Sequence, residues 1–96
     1  MYDIEEIRKH IIPIAKHYGV KKVYLFGSYA KRNAKEDSDI DLLIEKGKPI
    51  SLLKLSGMKQ DVQESLNIPV DLVTTAGIEE NFRNAISGTE VLLYEE

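Results

Sequence analysis

The chain has 96 residues, 43% hydrophobic and 30% charged, with Gly 6, Pro 3 and Cys 0. That composition fits a single globular domain, 1–96, and excludes disordered and low-complexity chains, disulfide and thiol chemistry, and cysteine-ligated zinc. The net charge of −3 hides an asymmetry: residues 1–35 carry eight Lys and Arg against three acids, residues 36–96 five against thirteen. Binding of nucleic acid through bulk charge is therefore not expected, whereas a basic stretch followed by an acidic one suits a phosphate beside a divalent cation. The acidic start, Met1 to Glu6, is unlike a secretory signal, and no apolar run is long enough to span a bilayer. A cytoplasmic location without membrane attachment is the expectation.

Asp3 is placed to cap a first helix, along which Ile4, Ile7, Ile11, Ile14, Ala15 and Tyr18 recur at helical spacing. Pro13 interrupts this pattern and predicts a kink or two short helices, and Gly19 ends it. Val20 to Phe26 reads as a strand, followed by Gly27-Ser28 and a polar segment, Lys31 to Asp37, that opens with a helical turn. Asp39 to Glu45 is a second strand. Ser51 caps a helix with Leu52, Leu55, Met58 or Val62, and Leu66 on its apolar face, stopped by Asn67 and Pro69. Val70 to Thr74 is a third strand, Thr75 to Gly88 a helix through Ile78, Phe82, Ala85 and Ile86, and Val91 to Tyr94 a short edge strand. This order predicts an α+β layered fold, a mixed β-sheet flanked by helices.

Side chains alternate along a strand, so Asp39 and Asp41 point one way while Ile40, Leu42 and Ile44 point the other. Their Cα atoms are then roughly 6.5–7 Å apart, near enough for both carboxylates to reach one ion or a close pair. Hard oxygen ligands of this kind select Mg²⁺ or Mn²⁺. Asp71, flanked by Val70 and Leu72, joins the same cluster if its strand neighbours the second with its apolar face on the same side. Gly27-Ser28, at the end of a strand, offers backbone N–H groups and a hydroxyl to a phosphate, and Lys31, Arg32 or Lys35 adds positive charge. His10 and His17 fall on a charged helix face and read as solvated. Tyr29 reads as a packed ring or as a stacking surface for a base.

Gly27-Ser28, ten residues and then Asp39-x-Asp41 resemble the signature of the nucleotidyltransferase superfamily that includes polymerase beta and the aminoglycoside nucleotidyltransferases. The fuller segment GSYAKRNAKEDSDIDLLIE is most similar to the minimal nucleotidyltransferases, the small partners of HEPN-domain proteins in prokaryotic toxin–antitoxin pairs. The similarity covers nearly the whole chain, and its specific part is Phe26–Glu45 with Val70–Thr74. The resemblance implies a polymerase-beta-like fold, with Gly27 and Ser28 on nucleotide phosphates, Asp39 and Asp41 ligating two Mg²⁺, and Asp71 as the third carboxylate. It further implies ATP as the donor and a HEPN toxin as the partner, silenced by adenylylation of a tyrosine. Where the family carries Ala-Arg-Gly this chain has Ala30-Lys31-Arg32, so Arg32, or Asn33 beside it, is expected to take up the positive φ that glycine favours.

Three activities are compatible with these residues. The first is an Mg²⁺-dependent transfer of AMP from ATP to the toxin. The second is an antitoxin that neutralises its partner by binding alone. The third is a nucleotidyltransferase acting on a small molecule or RNA, opposed for RNA by an aromatic content of 7% and the acidic second half.

Overall fold

The structure is a computed structural model that describes residues 2–47, 49–74 and 90–96. Helix α1, Ile4–Tyr18, opens on a capping box: the Asp3 carboxylate accepts the Glu6 N–H (2.8 Å) while the Glu6 carboxylate accepts the Asp3 N–H (3.2 Å). Gly19, at φ 70, closes it. Pro13 does not divide it into two helices; α1 runs through as one element of 15 residues. Ile7 and Ile11 before it and Ala15 after it are all fully buried, so one packed face spans the interruption. The carbonyl that loses its donor belongs to Lys9, an exposed residue.

Strand β1, Lys22–Phe26, is followed at once by the single turn α2, Gly27–Ala30, and then by β2, Ile40–Glu45. Helix α3, Leu52–Leu66, leads to β3, Val70–Thr74, and the chain finishes with β4, Val91–Glu95. The four strands form one sheet in the order β3-β2-β1-β4. β1 is antiparallel to both β2 and β4, and β2 is parallel to β3, with α3 as the crossover between them. The mixed sheet with helices is the expected α+β arrangement. The expected helix over 75–88 lies outside the described residues.

Alternation sorts the sheet into two faces. Val23, Leu25, Ile40, Leu42, Ile44, Val70 and Leu93 bury against α1 and against Met58, Val62 and Leu66 of α3. Leu52, expected on that apolar face, is instead 83% exposed, as is Leu53. It lies in the first turn of α3, and the buried face of the helix begins only at Met58, so Leu55, also expected there, is half-buried and outside the core cluster. The two helices are joined by polar contacts as well. The Tyr18 hydroxyl donates to Asp61 (2.6 Å), which pushes the phenol above its usual range, and His10 Nδ1 lies 2.6 Å from Ser65 Oγ. His10 is thus half-buried between α1 and α3 rather than simply solvated, while His17 is exposed.

The end of α2 is a Schellman motif. The Asn33 N–H donates to Ser28 O (3.0 Å) and the Arg32 N–H to Tyr29 O (3.3 Å), which places Arg32 in the left-handed region at φ 60. Arg32 itself, not Asn33, takes the positive φ. An arginine there is strained relative to glycine, so Arg32→Gly is expected to stabilise the fold by up to about 1 kcal/mol, read as a raised urea midpoint.

Candidate active site

The two short connections at one end of the sheet bring the acidic residues together. β1 ends where β2 and β3 begin: Phe26 is in register with Asp41, and Asp41 with Asp71. Residues directly opposite in neighbouring strands share a face, so Asp41 and Asp71 project together, away from the helices. Val70 is buried and Asp71 exposed, the alternation that the sequence implies. Asp39 lies one residue before β2 and not within it, as an exposed side chain that still acts electrostatically on Asp41.

Asp41 is the hub of this group. It is half-buried, and burial above all, then the charges of Asp71 and Asp39, pushes its carboxyl above the ordinary aspartate value. Gly27, at φ 74, stands against it: a Cβ there would overlap Asp41 Oδ2 and lie 3.3 Å from its Cγ. Phe26 was not singled out from the sequence, although its position at the end of an alternating strand was the available signal. It is the apolar register partner of Asp41.

Among the described residues, none of the three aspartates has an ion-pair partner. Nor are any three acidic or imidazole side chains there arranged so that they could hold a metal ion together. The donor chemistry nevertheless fits a hard divalent cation: carboxylate oxygens only, with one carboxylate resisting ionisation beside two other acids, a conflict that a cation resolves. Asp39, Asp41 and Asp71 are the candidates to hold it.

Gly27 and Ser28 open α2 beside this group, where the first amides of a helical turn have no intrahelical acceptor. Tyr29 is 4% exposed and part of the core, so packing claims its ring and burial raises its pKa. Lys31, Arg32 and Lys35 are exposed. Arg32 lines an open groove of about 580 Å³ with Tyr2, Tyr29, Ala34 and the first turn of α1, and the three aspartates are not in its walls. No helix among the described residues is long and apolar enough to cross a membrane.

Comparison with known proteins places this geometry among relatives. Residues 9–96 match the family model described as polymerase beta, nucleotidyltransferase. A Methanocaldococcus jannaschii protein that carries a protein adenylyltransferase name is 47% identical over 72 residues, 75% of this chain and 77% of that protein. A solved structure described as a minimal nucleotidyltransferase superposes with a TM-score of 0.82 at 28% identity, covering 94% of this chain and 95% of that one. A chain from the complex of a tri-AMPylated Shewanella oneidensis HEPN toxin with its MNT antitoxin has a TM-score of 0.75 at 19% identity, covering 97% and 73%, a likeness of fold.

Two expectations follow for the hub. Gly27→Ala combines a disfavoured positive φ with displacement of the Asp41 carboxylate, and should lower stability by about 1–2 kcal/mol in urea titrations. Folded Asp41 holds its proton more tightly than unfolded Asp41, so its contribution is neutral below the ordinary value of 3.8, turns destabilising as pH rises through it, and is complete above the raised folded value. In chelator, Asp41→Asn should therefore gain stability over the natural chain as pH rises from about 4 to about 8, read from urea midpoints.

Proposed function

The chain belongs to the polymerase beta nucleotidyltransferase family, and on that premise we propose that it transfers AMP from ATP to a hydroxyl of a HEPN-domain toxin, a tyrosine, and so acts as the antitoxin of a toxin–antitoxin pair. The observation that carries the proposal is the register of Asp41 against Asp71, with Asp39 beside them and Gly27 packed on the hub. The protein adenylyltransferase name of the Methanocaldococcus jannaschii relative and the AMPylated toxin of the Shewanella complex support the choice of donor group and acceptor.

The roles follow from position. Asp39 and Asp41, at the start of β2, and Asp71, at the start of β3, hold the cation. Bound Mg²⁺ or Mn²⁺ supplies neutralisation of the triphosphate charge and a lowered pKa for the attacking hydroxyl. Gly27 and Ser28 orient the phosphates through N–H groups and a hydroxyl, and the missing Cβ at position 27 allows close approach. Asp71 is exposed and reachable by an incoming acceptor, so it takes the proton of the attacking hydroxyl as that oxygen bonds to the α-phosphorus and pyrophosphate leaves. Lys31 and Arg32 add positive charge near the departing phosphates. The acceptor surface comes from the partner.

Purified chain, HEPN-domain partner, Mg²⁺ and ATP labelled at the α-phosphate should place label on the partner, and tyrosine substitution in the partner should remove it. The paired change Asp39→Asn with Asp41→Asn should lower labelling by at least about 100-fold. Toxin neutralisation that survives this double change without label would replace transfer with inhibition by binding alone.

A further inference from the structure

We propose that Gln63 is a positioning residue for Asp71, fixing the start of β3 so that the Asp71 carboxylate is held against Asp41 despite their mutual repulsion. The inference rests on the reading that Asp71 helps to hold a divalent cation, and it assigns to α3 a part in the site beyond that of packed crossover.

The argument begins from the sheet. Among the described residues, β3 is an edge strand with β2 on one side only. Like charges directly opposite in a ladder are destabilising, and Asp41 and Asp71 are such a pair. The start of β3 is therefore pushed outward where no further strand resists. In the parallel ladder the Ile40 N–H donates to Pro69 O (3.0 Å), while Ile40 is in register with Val70. The N–H of Val70 consequently points away from β2, toward the free edge.

Gln63 meets it there. Its side-chain Oε1 accepts the Val70 N–H (3.1 Å), and its main-chain carbonyl accepts the Asn67 N–H (2.7 Å) at the left-handed end of α3. Two oxygens of one residue thus bracket the whole turn from Asn67 to Val70, and Asp71 is the next residue. The Val70 side chain, 4% exposed, locks the same point from the core face. With both its side chain and its amide held, Val70 cannot roll, so Asp71 is presented on the opposite face in one orientation. Removing Oε1 takes the acceptor from the part-buried Val70 N–H while the apolar packing of the Val70 side chain is kept. The fold then survives, while the orientation of Asp71 is loosened.

The test uses the full chain and Mn²⁺ alone, with free Mn²⁺ counted by electron paramagnetic resonance, beside thermal unfolding in chelator. Gln63→Leu, nearly isosteric without the acceptor, should weaken Mn²⁺ binding by about five- to tenfold. Gln63→Glu, which restores an acceptor oxygen at the same reach, should return affinity to within about twofold of the natural chain. Gln60→Leu changes the same helix at an exposed glutamine bonded only to Glu64 (3.0 Å), and should bind Mn²⁺ normally. A role confined to stability would lower the melting temperature of Gln63→Leu and leave the affinity of the folded protein untouched. That result, with Asp71→Asn still weakening Mn²⁺, overturns the role of Gln63 and spares the cation reading, as do equal losses for Gln63→Leu and Gln63→Glu. A natural chain that binds no Mn²⁺, or binds it equally well as Asp71→Asn, overturns both. Should Gln63→Leu not fold, Gln63→Asn withdraws the same oxygen by one methylene and is read in the same way.

Discussion

Two aspartates set side by side across a hydrogen-bonded pair of strands govern the organisation of this domain. Asp41 and Asp71 occupy matching positions on β2 and β3, and Asp39 adds a third negative charge just before β2. In an ordinary sheet such an arrangement is selected against, because cross-strand neighbours of like charge repel and burial of either one adds a desolvation cost. Here the charged end is joined to a well-packed apolar layer, and Ile40, Leu42, Ile44 and Val70 hold the strands in place from the other face. The core supplies the free energy that keeps an unfavourable constellation assembled, a distribution expected where local preference yields to function.

The backbone around the charges is shaped to the same end. Gly27 sits where any side chain would displace Asp41, and the turn that follows closes through main-chain bonds that put Arg32 in a conformation glycine would adopt more readily. Both are local costs borne beside the carboxylates. The neighbouring groove contains Arg32 with Asp3, Glu5 and Glu6, and Asp39, Asp41 and Asp71 are not in its walls.

Much of this was legible in the residues themselves. The alternation of Asp41 with Ile40 and Leu42, and of Asp71 with Val70 and Leu72, is enough to place these two carboxylates on one face once β2 and β3 are neighbours, whereas Asp39, expected within the strand, lies just before it. Capping by Asp3 and Ser51 and closure by Gly19 were equally local and equally readable. What escaped depended on contacts between distant segments. Val20 belongs to the core turn before β1 and not to the strand, because its N–H bonds back to Ala15 O (3.3 Å). His10 meets Ser65, Tyr18 meets Asp61, and the Gln63 side chain reaches Val70, and none of these pairings leaves a periodic trace in the sequence. Leu52 looked apolar enough for the core, but only the position of α3 along the sheet decides which turn makes contact.

The alternation in β2 has a consequence for folding. Ile40, Leu42, Leu43 and Ile44 are all buried, so apart from its two acids the strand is apolar on both faces. A sheet with such a strand is prone to slip by one residue, since hydrophobicity alone barely distinguishes the two alignments. Asp41 breaks that tie: turned to the helix-covered face, its carboxylate would enter the buried apolar cluster. Position 41 thus opposes the shifted alignment through its preference for water, whatever its charge costs the aligned sheet.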